Sequence, residues 1–196
     1  MAPDCRCSPS GQTIGKMTKF IMEHPLKKFT HCPVCGSASF TDNDEKSRRC
    51  AQCSFVYYLN PSSAYVAVIV DEQGRLLVER RGREPAFGTL DLPGGFADIG
   101  ETAEEGLARE VLEETGLRVA KAEYLFSMPN EYLFSGFQVP TLDLFFRCEV
   151  DDISALRAGD DAAECFWVPL HEVSPSDFGL RSIRQGVERL LNAARG

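Results

Sequence analysis

Glu110, Glu113 and Glu114 stand in the stretch GFADIGETAEEGLAREVLEETGL, residues 95–117, at spacings that suit a metal site. On a helix at about 100° per residue they fall within roughly 100° of one another. Leu107, Ala108, Val111 and Leu112 form an apolar arc beside them. Like charges held this close raise one another's pKa unless a cation compensates them. Clustered oxygen donors are what a hard ion such as Mg²⁺ or Mn²⁺ selects. Taken alone, the same cluster also fits a solvated helix face with its charge settled by Arg109.

A second donor set is softer. Cys32, Cys35, Cys50 and Cys53 form two CxxC pairs separated by fourteen residues, with Gly36 after the first pair. Four thiolates presented by two tight turns suit tetrahedral Zn²⁺ with no open position, a structural site. Two local disulfides or a redox pair are the alternatives. Cys148 and Cys165 lie in apolar runs and read as packing residues. Cys5 and Cys7 carry no assignment.

Composition bounds the rest. A chain of 196 residues, 43% hydrophobic and 26% charged, is globular in usage and long enough for one main domain plus an appendage. No run approaches the 18 or so apolar residues of a membrane span. A net charge of -8 argues against a general nucleic-acid binder, which presents a basic face to phosphate. Paired CxxC motifs and the absence of a secretory pattern in the first 22 residues point to the cytoplasm. Residues 1–28 read as a disordered leader, 29–60 as the four-cysteine ribbon and 61–196 as the main domain.

The elements that must position these groups follow from pattern. AYVAVIV (64–70) and RLLVERR (75–81), separated by the turn signal DEQG, read as a hairpin. Residues 83–95 form a Gly/Pro-rich loop. Thr102 and Glu105 make a capping box that starts a helix over 102–115, and Gly116 suits its left-handed end. VAKAEYLFSM (119–128) and TLDLFFRCEV (141–150) read as strands around the loop 129–140. ECFWVPL (164–170) is a further short strand, and residues 179–194 form a terminal amphipathic helix.

Gly95, Glu101, Arg109, Glu110, Val111, Glu113, Glu114, Gly116 and Leu117 match without a gap the box GX5EX7REUXEEXGU, where U is bulky and apolar. The chain therefore resembles the Nudix hydrolases. The resemblance implies an α/β/α sandwich with a mixed sheet, the box helix on one face and the terminal helix on the other. It implies Glu110, Glu113 and Glu114 as metal-holding carboxylates, the Gly94 carbonyl as a further ligand, and Gly95, Glu101 and Arg109 as the clamp of loop to helix. Glu164, three residues before Trp167, resembles an ExxW element that brings another metal-binding or basic carboxylate. The catalytic set is thus Glu110, Glu113, Glu114 and Glu164.

A ribbon directly before such a domain resembles the NADH pyrophosphatase group, in which two tyrosines follow the last cysteine. Tyr57 and Tyr58 have that spacing, and Tyr58, Arg80, Tyr132 and Phe134 are the candidate substrate contacts. Two departures stand out: Leu90 replaces a common Trp, and of the motif SQPWPFPxS only Ser127 and Pro129 remain. The implied activity is Mg²⁺-dependent hydrolysis of a phosphoanhydride in a dinucleotide (NADH, NAD, FAD) or in ADP-ribose, giving two phosphate-terminated halves. A nucleoside triphosphate pyrophosphatase is the alternative enzyme, and a non-catalytic nucleotide sensor the alternative class. Partners implied are the nucleotide substrate, a homodimer, no membrane, and as nucleic acid only an RNA end bearing a dinucleotide cap.

Overall fold

The computed structural model describes residues 24–157 and 162–194, and the expected leader lies outside them up to residue 23. The chain forms two units that divide between Leu59 and Asn60. No helix among the described residues is long and apolar enough to cross a membrane.

The first unit is a three-stranded antiparallel sheet, β1 (Phe40–Asp44), β2 (Ser47–Cys50) and β3 (Val56–Tyr58), in that order. Ahead of it, residues 25–28 form a turn whose Leu26 is fully buried. Its inner cluster is small: Cys32, Phe40 and Cys50, with Phe55 packed against them. Arg48 covers the Phe40 ring and pairs with Asp42 at 2.8 Å. Burial on this scale does not offset the entropy of ordering such a segment, so a cross-link must contribute.

The second unit holds β4 (Ser62–Ile69), β5 (Arg75–Arg81), β6 (Leu90–Asp91), β7 (Gly94–Phe96), α1 (Ala103–Thr115), β8 (Val119–Phe134), β9 (Phe137–Val150), β10 (Ala162–Pro169) and α2 (Arg181–Ala194). One sheet runs β7-β4-β9-β8, with β4 and β9 parallel; the other runs β10-β5-β6 and is antiparallel. The expected hairpin of β4 and β5 does not form. The two strands share a single bridge, Val70 to Leu76, and then enter different sheets. Residues Tyr65–Ile69 are all buried, so β4 is covered on both faces and satisfies both edges, against β7 and β9.

The expected loop 129–140 is also strand. β8 and β9 continue as one ladder to the pair Phe134–Phe137. Ser135 and Gly136 close it with φ of 50° and 70°, the left-handed pair that a two-residue hairpin turn requires. The dipeptide Ser-Gly in the middle of the segment is the local signal for this turn.

Alternation along β4 and β5 builds two apolar layers. Tyr65, Ala67, Ile69 and Leu77 pack with Leu107 and Val111 of α1. Val66, Val68, Leu76 and Val78 pack with Ile183, Val187 and Leu191 of α2. The central strands thus lie between one helix on each side, the α/β/α sandwich expected. Thr102 and Glu105 cap α1 reciprocally and Gly116 ends it at φ 72°. Its buried face is Gly106, Leu107, Val111 and Thr115, which corrects the expected arc: Leu112 is exposed and Ala108 only half-buried. The sheet meets this helix roughly 50° back from the arc that hydrophobicity alone suggests.

Where α2 crosses β9, Gly186 faces the fully buried Phe145, and a Cβ at 186 would run into the ring. Gly186→Ala should therefore lower stability by about 1–3 kcal/mol through overpacking, despite alanine's better helix propensity. Urea unfolding followed by circular dichroism measures this, and a variant as stable as the parent would show that the helix shifts freely on the sheet.

Candidate active site

The loop from β7 to α1 is held by one guanidinium. Arg109 Nε and Nη2 donate to Glu101 at 3.1 and 3.0 Å, Nη1 donates to Glu110 at 2.8 Å, and Nη2 also reaches the Phe96 carbonyl at 3.2 Å. Glu101 accepts from the Asp98 amide at 2.6 Å as well. Arg109, with that amide, holds the Glu101 carboxyl below its ordinary range. Gly95 leaves the space that the Glu110 carboxylate fills. Gly94, at φ 152°, lies so close to β4 that a Cβ would strike the Tyr65 carbonyl, and its amide donates to Glu114 at 2.8 Å. The expected clamp of Gly95, Glu101 and Arg109 is thus brought together.

A cavity of about 420 Å³ opens beside it, lined by both sheets and α1. Glu79, Asp91, Glu110 and Glu114 face it, with Arg81 and Arg83 as its cationic side chains. Arg81 is engaged by Asp91 in a close ion pair. Burial, and then the charge of Glu79, push the Glu114 carboxyl from 4.5 up to about 9. Burial also raises Glu110 against the pull of Arg109. Negative charge therefore exceeds positive charge in a half-buried space, and a proton or a metal ion must compensate it.

All donors facing this excess are oxygens, which fits a hard divalent ion. Glu110, Glu114 and the Gly94 carbonyl are the groups that would hold it. In the structure the carboxylates are spread along the cavity wall: the one donor group of the described residues gathered within 4.8 Å is the cysteine set.

Other expected residues lie farther out. Glu113 is exposed, 3.4 Å from Arg109, and does not line the cavity. Glu164 is exposed, pairs with Arg80 at 3.2 Å, and lies outside the lining together with it. Arg80 also donates to the Gly88 carbonyl at 3.0 Å. The cavity arginine is its neighbour Arg81, because successive strand residues face opposite sides. Tyr132 and Phe134 do line the cavity, and Tyr132 packs edge-on against Phe96 at 5.6 Å. Leu90, where Trp is common, pairs across β6 with Arg80 and packs on the core. Within the first unit, Tyr58 is exposed and Tyr57 stacks on Phe29.

Sequence reasoning missed Glu79, Asp91, Arg81 and Asp143, all of which line the cavity. The signal was available: Asp91 and Asp143 interrupt apolar runs, as in LDL and LDLFF, and Glu79 ends one, LLVE, and a charge kept among buried neighbours needs a partner or a task.

In the ribbon the four cysteines are free of disulfides, and their sulfurs lie within 4.8 Å of one another. Cys32 and Cys53 are 3.7 Å apart, Cys35 and Cys50 3.6 Å. A tetrahedron with Zn–S of about 2.3 Å has edges of about 3.8 Å, so the cluster has the size the ion needs. The amides of Cys53 and Gln52 hold the Cys50 thiol down at about 6, while burial and the neighbouring sulfurs push Cys35 up to about 12 and Cys53 upward, so four thiolates together need a cation.

The NUDIX domain model matches residues 60–189. A NAD-capped RNA hydrolase of Photobacterium profundum is 34% identical over 108 residues, 55% of this chain and 40% of that protein. This chain therefore spans about two fifths of the length of that relative. An ADP-ribose pyrophosphatase of Methanocaldococcus jannaschii is 32% identical over 137 residues, 69% of this chain and 78% of the relative. Among solved structures, a NUDIX hydrolase from Nitrosomonas europaea superposes with a TM-score of 0.65 at 23% identity, covering 85% of this chain and 92% of the other. It shares the fold.

The raised Glu114 carboxyl gives the metal-free protein a pH dependence. A group that titrates near 4.5 when unfolded and about 9 when folded binds more protons in the native state across that interval. Its contribution to stability is complete below about 4.5 and is lost as pH rises through about 9. In EDTA the melting temperature should fall steadily between pH 5 and 9, and Glu114→Gln should flatten that fall. Thermal melts at matched ionic strength measure it; parallel slopes in parent and variant would show that Glu114 is ionised throughout.

Proposed function

The chain belongs to the Nudix family, and from that premise we propose that it hydrolyses the phosphoanhydride bond of a dinucleotide such as NADH, NAD or FAD, or of ADP-ribose. The observation that carries this reading is one cavity in which the box carboxylates Glu110 and Glu114 share walls with Arg81, Arg83 and the rings of Phe96, Tyr132 and Phe134. Carboxylates at one place and exposed rings at another suit a substrate with a charged bridge and a flat base. The names of the two relatives, a NAD-capped RNA hydrolase and an ADP-ribose pyrophosphatase, support that substrate class.

A bound Mg²⁺ or Mn²⁺ would neutralise the phosphate oxygens and polarise the phosphorus centre. Glu110, Glu114 and the Gly94 carbonyl would hold it, and Gly94 N–H fixes the Glu114 carboxylate from behind. Arg81 and Arg83 would meet the remaining phosphate oxygens. For the proton of the attacking water, Glu114 already faces the cavity, whereas Glu113 and Glu164 are engaged with Arg109 and Arg80 outside its lining. The ribbon takes one structural Zn²⁺ on Cys32, Cys35, Cys50 and Cys53, and free thiols throughout the described residues suit a reducing cytoplasm.

The assay is a panel of NADH, NAD, FAD, ADP-ribose, a dinucleotide-capped RNA and the common triphosphates, with Mg²⁺ or Mn²⁺, scored by product identity. A dinucleotide or ADP-ribose should lead in kcat/KM, and Glu114→Gln should lower turnover by about two orders of magnitude or more. A triphosphate ahead by tenfold, about 1.4 kcal/mol of transition-state preference, would overturn the substrate class.

Metal analysis of protein purified without nickel or added zinc should find about one Zn²⁺ per chain. Cys50→Ser should abolish it and expose the ribbon to proteolysis. A zinc-free ribbon that resists protease would remove the metal from the account.

A further inference from the structure

The cavity has a second polar feature that the carboxylate chemistry leaves unused. Asp143 of β9 lines it yet is only 5% exposed. Its carboxylate is fixed from two sides: Thr141 Oγ1 donates to Oδ1 at 2.8 Å, and Ser182 Oγ, at the start of α2, donates to Oδ2. Asn130 pairs with Thr141 across the ladder and also lines the cavity. Period-two alternation puts Asn130, Tyr132 and Phe134 on the face of β8 that continues the Thr141–Asp143 face of β9. A held carboxylate, an amide and two aromatic rings therefore look into one space.

A carboxylate that accepts one hydroxyl hydrogen on each oxygen keeps further acceptor capacity and offers no donor. Any group docked against it must present a hydrogen. Burial raises the Asp143 carboxyl against the pull of Ser182 and Thr141, and wherever it is ionised a keto oxygen docked there would meet negative charge. The flanking rings favour a flat heterocycle over a sugar, and a carboxylate is a natural acceptor for an exocyclic amine of a base.

Resting on the hydrolase reading above, we propose that Asp143 is a specificity-determining residue that accepts a hydrogen bond from the exocyclic amino group of an adenine-type base, with Thr141 and Ser182 as positioning residues. A site built around such a donor rejects the analogue lacking it far more strongly than an apolar pocket rejects a missing methylene, because the buried acceptor is left unsatisfied.

The test uses two substrate pairs that differ only by the amino group: ADP-ribose and ATP, each with its counterpart carrying unsubstituted purine. The amino-to-purine ratio is read in kcat/KM with Mg²⁺ and in Kd by calorimetry with Ca²⁺ in its place. The parent protein should favour the amino member by about tenfold or more. Asp143→Leu should bring the ratio near one. Ser182→Ala, a gentler change in case the first variant unfolds, should lower the ratio by raising KM for the amino member more than it lowers kcat. A ratio near one in the parent, or one unchanged in a folded variant, overturns the proposal. If only the triphosphate pair is turned over, the dinucleotide reading fails while that pair still decides the role of Asp143.

Discussion

The Arg109 guanidinium is the contact on which the geometry of the site depends. Its donors reach Glu101 in the loop, Glu110 on its own helix and the Phe96 carbonyl at the end of β7. The planar fork lets one side chain satisfy acceptors that come from three chain segments, which a lysine could not do with a point charge. Because β7 pairs with β4 through Ala64, Tyr65 and Val66, the same guanidinium ties α1 to the middle of the sheet. The Gly94 amide is carried into bonding distance of Glu114 by that tie.

Holding the loop also concentrates charge. Arg109 offers one positive charge to Glu101 and Glu110 together, and Arg81 pairs with Asp91, so the carboxylates around Glu114 keep a net negative charge. The direction of the Glu114 shift, upward through burial first and Glu79 second, identifies it as the carboxylate least compensated by protein. A fold that maximised only its own stability would not keep such a group facing a cavity, since uncompensated burial costs several kcal/mol. Its retention is what links the architecture to a cation and, through the cation, to phosphate.

How much was legible beforehand depended on whether the cause was local. The box helix, its Thr102–Glu105 cap and its Gly116 end rest on hydrogen bonds within a few residues, and the sequence reading placed them correctly. The arginine clamp was legible because its spacing matches a known box. Partners chosen across the sheet were not: β4 and β5 read as a hairpin because DEQG is a good turn, whereas the choice of β7 and β9 as neighbours of β4 depends on burial of both faces. Tyr132 and Phe134 fall in the expected loop 129–140, where the Ser-Gly turn that extends the ladder depends on pairing with β9. Asp91 and Asp143 escaped because a short pattern cannot say which side of a strand faces a cavity.

The two units solve the problem of unbalanced donors in opposite ways, and the chemistry of the donors keeps the solutions apart. In the ribbon the sulfurs sit at the spacing of a closed tetrahedron, so an ion held there would put its binding energy into a sheet whose core is three side chains and one neighbour. In the hydrolase unit two apolar clusters already hold the fold, and the carboxylates stay spread along a wall. An ion bound there would leave coordination positions for substrate oxygens, because the protein supplies few ligands. Soft thiolates select zinc and hard oxygens select magnesium or manganese. The chemistry of the donors thus separates a closed, soft set in the ribbon from an open, hard set in the second unit.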